Sequence, residues 1–425
     1  MPTQVDGPRS KSDNRRLSFM QQELHVQIGT FYLPAIGNRA EINERMAGRR
    51  TDLYQKMLRN LAEQARYMDE HGYFGVGFTE HHFHVEGEEV STNPIMLDMY
   101  LGMQTKNLKV GQLGLVLPSH NPLRIAEDIA ILDQVTQGRA FAGFARGYQP
   151  RWVNVLGQHY PGLADSDSDP AAYEQLKKEL YEEHWEIIIK AWTNPTFSHH
   201  GKHWQIPTPN TYWTAHKVTR EFGEGVDERG YMTAIGTVPE TYQKPHPQIF
   251  QPFSFSESSI HWGVAHGAVP ISVACDHEIA ATHLRAAQAG AAQVGKDYKF
   301  GQGIGLIREV ICADTDAEAM ELARNAGAFI WTTFFEPFGF NAALAHPGED
   351  PASIPNTFES MVERGLTIAG SPATVCRELE KLFKALPAEY FWNYIYNEML
   401  PQKAAMRSHE LLTEKVYPHF TDAIK

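Results

Sequence analysis

Apolar positions along the chain follow two alternating rhythms. Short apolar runs at residues 25–31, 74–78, 110–117 and 139–145 read as strands. Between them, apolar residues recur every three or four positions, the period of a helix face. Leu53, Met57, Leu61, Ala65 and Met68 form one such stripe, and Gly72 ends it as a C-cap glycine does. Asn121-Pro122 opens another helix with an N-cap and a first-turn proline, and Ile125, Ile129 and Leu132 share its stripe up to Gly138. Further on, strands at residues 248–255, 269–275, 303–312 and 390–396 alternate with helices at 258–266, 277–294, 317–330, from Pro372, and at 402–416. Eight strands with helices between them predict an α/β fold closed as a (β/α)8 TIM barrel. An open doubly wound sheet is the structural alternative.

The rhythm breaks twice, after the fourth strand and before the eighth. Residues 157–245 show one clear helix, 171–191, within a stretch rich in Pro, Gly, aromatic and charged residues. An excursion of that length predicts a lid or substrate loop. Residues 334–366 form the second insertion. Residues 1–22 read as a disordered N-terminal arm, and 23–425 as one barrel domain carrying both insertions.

Composition narrows the partners. The chain has 425 residues, 42% of them hydrophobic, enough for a large core. A net charge of -13 argues against nucleic acid or an anionic membrane surface. No run approaches the ~18 apolar residues of a membrane span, and the N-terminus lacks a secretory apolar region, so a cytoplasmic location is expected. Cys275, Cys312 and Cys376 are too far apart for a zinc pattern or a disulfide framework and read as reduced structural thiols.

A barrel carries its chemistry at the C-terminal ends of its strands. After the second strand comes Glu80-His81-His82-Phe83-His84. Histidines beside a carboxylate suit proton transfer. The same residues could be a structural pair. His82 and His84, with Glu80, His246, His261 or Asp276, could also make the metal centre of a hydrolase. After the fifth strand, Ser256, Ser258 and Ser259 open a helix, where hydroxyls and free N–H groups suit a phosphate or serve only as caps. After the fourth, Arg146-Gly147-Tyr148 offers a guanidinium and a close backbone approach. Gly301-Gln302-Gly303-Ile304-Gly305 enters a strand instead of opening a helix and is no dinucleotide fingerprint. Trp152, Trp192, Trp204, Trp213 and Trp262 supply packing or an apolar pocket wall.

Taken in order, these segments resemble bacterial luciferase and its flavin-dependent monooxygenase relatives. The likeness runs through Thr79 to Phe83, Val110 to Pro118, Asn121 to Asp128, Gly143 to Tyr148, Gln243 to Pro247, Ser256 to Gly267 and Gly370 to Ala373. It implies a barrel, usually a homodimer, that uses FMN as FMNH2, with O2 and a separate flavin reductase. It also implies oxidation of a small organic substrate, an aldehyde or ketone, through a flavin C4a-(hydro)peroxide. His81 is then the catalytic histidine, with Glu80 and His82 beside it. Arg146, Ser256 and Ser259 contact the FMN phosphate, with Gly147, Tyr148 and Ser258 in the same loops. Leu113 and Gly114 lie beneath the flavin ring, joined by a non-proline cis peptide of the kind that marks functional sites. Two departures argue against light emission: Phe255 stands where the light-emitting relatives carry a glutamate, and Ala145 where they carry a reactive cysteine. The rival readings are an F420-dependent oxidoreductase of the same barrel type, a metal-dependent barrel hydrolase and a non-catalytic flavin-binding protein.

Overall fold

The structure is a computed structural model that describes residues 26–164, 166–396 and 398–424. The predicted N-terminal arm lies outside the described residues. The barrel strands are β1 (Gln27–Tyr32), β2 (Gly75–Phe78), β3 (Lys109–Gln112), β4 (Ala140–Ala145), β5 (Gln248–Ser254), β6 (Ala268–Ser272), β7 (Gly305–Cys312) and β8 (Tyr390–Ile395). Each pairs in parallel with the next. β8 pairs with β1 and closes the barrel. The open-sheet alternative is thereby set aside.

The helices are α1 (Thr51–Glu70), α2 (Pro94–Gly102), α3 (Pro122–Val135), α4 (Pro170–Thr193), α5 (Glu257–Ala265), α6 (His277–Gln293), α7 (Asp316–Asn325), α8 (Pro372–Ala385) and α9 (Gln402–Lys415). The α1 stripe is buried as its spacing requires, and Gly72 follows the helix at φ +79°, a left-handed conformation that suits glycine. Asn121 caps α3 by accepting from the N–H groups of Leu123 and Arg124. Helix α2 was not anticipated. Its sequence, PIMLDMYLG, is apolar on almost every side and shows no helical stripe.

Other differences have local causes. The predicted third strand is interrupted at Leu113-Gly114 and resumes for only two residues, Leu115–Val116, paired with β4. The strand Thr367–Gly370, too short to read from sequence, pairs with β7 outside the closed ring. Past α4, the long excursion forms a small antiparallel pair, His199–His200 with Gln205–Ile206, and a short exposed helix, His216–Phe222.

Aromatic side chains fill the barrel. Phe141, Phe250, Tyr390 and Trp392 meet with Phe74, and the Phe250 and Trp392 ring centroids lie 5.4 Å apart. Glycine makes the room: a Cβ on Gly29 would lie 2.5 Å from Trp392. Dense packing of this kind makes the barrel a solid support and leaves its open end for chemistry.

Candidate active site

The C-terminal ends of β1 to β5 converge on one space. Leu33 follows β1, His81 follows β2, Gly114 interrupts the third strand, Tyr148 follows β4, and Phe253 ends β5. β5 bulges between Gln251 and Ser254. Phe253 there has φ +49°, unusual for a bulky residue, and its ring lies 5.4 Å from Phe31. The inner part is a narrow apolar slot of about 70 Å3, walled by Leu33, Leu113, Val116, Ala145 and Pro252. It shares Tyr148, Phe253 and Phe340 with an outer cleft of about 580 Å3.

The three residues of the Glu-His-His motif do different things. Glu80 is fully buried and ionised. Its Oε1 accepts from His82 Nε2 at 2.8 Å and from His120 Nε2 at 2.6 Å, and its Oε2 accepts from the Val116 N–H at 2.7 Å. Burial alone would raise its carboxyl. The charge and hydrogen bond of His120, with those of His82, outweigh burial and hold it at about 2. Glu80 therefore clasps the end of β2 to the segment after the third strand. His82 belongs to that clasp and does not line the slot, whereas His81 does.

His81 is nearly buried. Its Nδ1 lies 3.1 Å from Thr79 Oγ1, and its Nε2 lies 3.1 Å from the Tyr148 hydroxyl. A carboxylate oxygen of Glu89 stands 3.0 Å from Nε2. Glu89 was not singled out in the sequence, where it is one of three acids in a short loop, Glu86, Glu88 and Glu89. Only the fold shows that this one is wholly buried, on a backbone at φ +46°. His120 was missed for a similar reason, as a lone histidine after Pro118-Ser119. His84 turns elsewhere, with Nε2 2.9 Å from Gln149 Oε1, and Asp276 pairs with His346. Among the described residues, no three His, Cys, Asp or Glu side chains converge as metal ligands would.

The outer cleft gathers hydroxyls, a helix start and an arginine, with Glu182 and Lys178 also on its lining. Ser256 caps α5 and accepts from the Ser259 N–H at 3.3 Å. Ser258 and Ser259 line the cleft, and Glu257, the acid of that turn, does not. Arg146 is exposed on the same wall, and no carboxylate among the described residues lies within ion-pair distance of it. A free guanidinium facing a helix N-terminus favours a phosphate. Behind it, Lys177 Nζ donates to the Gly147 carbonyl at 3.0 Å and fixes the loop. Gly147 itself has φ +80°, and a Cβ there would lie 2.6 Å from Val116. Cleft and slot together fit a molecule with an anionic tail and a flat apolar ring.

Two expectations are corrected. The cis peptides among the described residues are Ile206-Pro207, Val238-Pro239 and Lys244-Pro245. Leu113-Gly114 is trans, and the chain turns there through Gly114 at φ +128°, open to a residue without a Cβ. Nor does the long excursion cover the cleft, to which it contributes only Lys178, Tyr181 and Glu182 of α4. Its later part packs outside the barrel, with Thr237 donating to the Ala191 carbonyl and Gln243 bonded to Asp133. The cover comes from the region of the second insertion, where Phe335, Phe338 and Phe340 arch over Tyr148 with ring centroids 6.4, 5.1 and 4.9 Å away.

Fold and site thus define a barrel whose open end joins an arginine- and serine-lined cleft to an apolar slot that reaches a buried histidine. A family model described as luciferase-like monooxygenase matches residues 40–389. The chain belongs to the luciferase-like monooxygenase family and is an oxidoreductase. It is 25% identical over 303 residues to 3,6-diketocamphane 1,6-monooxygenase of Pseudomonas putida, covering 69% of this chain and 75% of that one. It is 35% identical over 102 residues to the alkanal monooxygenase alpha chain of Photorhabdus laumondii, covering 24% of this chain and 28% of that one. The solved oxygenating constituent of 3,6-diketocamphane monooxygenase from Pseudomonas putida, a type II Baeyer-Villiger monooxygenase in complex with FMN, superposes with a TM-score of 0.70 at 21% identity, over 93% of this chain and 98% of that one.

Proposed function

We propose that this protein is an FMN-dependent monooxygenase that takes reduced FMN and O2 and oxidises a small apolar aldehyde or ketone. The observation that carries the reading is the junction of two spaces at Tyr148 and Phe253: an outer cleft with a free arginine at a helix start, and a narrow apolar slot that ends on His81. Bound reduced FMN supplies the electrons with which O2 delivers one oxygen atom to the substrate. Arg146, Ser256, Ser258, Ser259 and the first turn of α5 hold its phosphate. Gly147 would let the backbone approach it closely, and Leu113 and Gly114 of the slot wall would meet its ring. Phe335, Phe338 and Phe340 exclude water, which a reactive oxygen species requires. His81 manages protons at Nε2.

The absence of a nicotinamide fingerprint in the sequence supports a separate flavin reductase. Exposed Met96 on α2, Met103 just past its end, and Ile131 and Val135 on the neighbouring α3 support a homodimer. Ala145 and Phe255 support a reaction without light. No helix among the described residues is long and apolar enough to cross a membrane. Titration with FMN, riboflavin and F420, beside metal analysis of the purified protein, tests the cofactor. FMN binding at least tenfold tighter than riboflavin is expected, and preferential binding of F420 or a stoichiometric metal would overturn the reading.

A further inference from the structure

We propose that Tyr148 is the group that hands the proton to the bound reactants, and that Glu89 and His81 form the buried relay behind it. The inference takes its acceptor from the monooxygenase reading, but its geometry stands on this chain alone.

Both ring nitrogens of His81 are engaged by protein, Nδ1 with Thr79 Oγ1 and Nε2 with Tyr148 and Glu89. The Tyr148 hydroxyl, in contrast, belongs to a side chain that lines both slot and cleft. A phenol oxygen accepts two hydrogen bonds and donates one. Gln149 Nε2 donates to it at 2.9 Å, and His81 Nε2–H fills the second acceptor position at 3.1 Å. The phenol's own hydrogen is then left for the cavity.

Glu89 gives His81 a proton to pass on. Its carboxylate is wholly buried and accepts no hydrogen bond from any described group, so its 3.0 Å approach to Nε2 is a contact of charge. No other described cation lies within 4.0 Å of it. Arg151 is taken up by Glu86, and the His84 Nε2 by Gln149. A buried carboxylate without donors is tolerated only beside a positive partner. The His81 imidazole is the group placed to be that partner: with a proton on each nitrogen it would donate from Nδ1 to Thr79 and from Nε2 to Tyr148. The left-handed backbone at Glu89 is a further sign of a position held for function.

The step balances without any change of oxidation state. The Tyr148 O–H bond breaks as its proton goes to a basic oxygen of the bound reactants. The Nε2–H bond of His81 breaks as that proton restores the phenol. His81 is left neutral with hydrogen on Nδ1, and solvent reprotonates it before the next cycle. Tyr148 is thus a catalytic residue, and Glu89 a positioning residue acting through His81.

The test pairs 15N NMR of the His81 ring in the FMN-free protein with steady-state turnover. At pH 7 the wild type is expected to show both ring nitrogens protonated, and Glu89→Gln a neutral ring with one. Tyr148→Phe is expected to lower kcat about 100-fold, in the range general acid catalysis supplies, with FMN affinity and substrate KM within about twofold. Glu89→Gln should lower kcat about 10-fold, and Glu89→Asp should recover part of it. Identical ring patterns in wild type and Glu89→Gln, or an unchanged kcat in Tyr148→Phe, would overturn the relay. A wild type with the expected ring pattern that oxygenates nothing would overturn the monooxygenase reading and support the dyad.

Discussion

Replacing Arg146 by alanine isolates the phosphate site from the rest of the cleft. The side chain is exposed and has no carboxylate partner among the described residues, so its removal strands no charge and leaves the barrel intact. A hydrogen bond to a charged group contributes about 1.5–3 kcal/mol, which at about 1.4 kcal/mol per tenfold corresponds to FMN binding roughly 10- to 150-fold weaker. Riboflavin has the same ring and no phosphate, and its affinity should stay within about twofold. An exposed guanidinium is screened by salt, so the FMN loss should shrink as ionic strength rises. Arg146→Lys should fall between the two, keeping the charge without the fork. Flavin fluorescence quenching at two salt concentrations measures all of this. Equal losses for FMN and riboflavin, or no loss for either, would refute the reasoning.

His81→Ala should keep FMN affinity within a few-fold and lower product formation about 10²- to 10⁴-fold, with the consumed oxygen recovered as hydrogen peroxide; unchanged coupling would remove His81 from the chemistry. Phe338→Ala, at a ring 41% exposed over Tyr148, should raise peroxide release by opening the cover, at little cost in stability. Glu80→Gln should cost about 3 kcal/mol in urea denaturation by breaking a buried charge cluster. Because its folded carboxyl lies at about 2, below the usual value, the wild-type contribution is present above pH 4.5 and lost as pH falls toward 2; a flat stability curve over that window would contradict the clasp. Glu309 has the opposite sign: burial pushes it up to about 7 despite its bond from Thr367, so the folded state holds the proton more tightly. Stability should fall by roughly 3 kcal/mol as pH rises from 4.5 through 7, and Glu309→Gln should abolish that slope in thermal melts.

Where the sequence was legible, local physics and the fold agreed. The α1 stripe, the Asn121-Pro122 start, the Ser256 cap and most barrel strands each carry a signal within ten residues. What was hidden depends on distant parts. α2 is apolar all round and has no face to read. Gly114 interrupts an apolar run that looks continuous. Arg146 and the serine loop were legible as a pair because consecutive strands are neighbours in a barrel. Glu89 was not, because nothing near it in sequence says which of three acids will be buried against His81. The aromatic run Phe334-Phe335-Glu336-Pro337-Phe338 has no helical or strand period of its own, and only the closed barrel shows that its rings lie over Tyr148.

The central claim is that this barrel uses reduced FMN to put one atom of O2 into an apolar carbonyl substrate. Its most direct test is a single turnover of the purified protein with reduced FMN under 18O2, against a panel of aliphatic aldehydes and cyclic ketones, read by mass spectrometry. The account predicts one 18O atom in the product of at least one substrate, dependent on reduced FMN and lost in His81→Ala. Oxygen consumption ending wholly in labelled hydrogen peroxide across the panel, the same with and without His81, would contradict it.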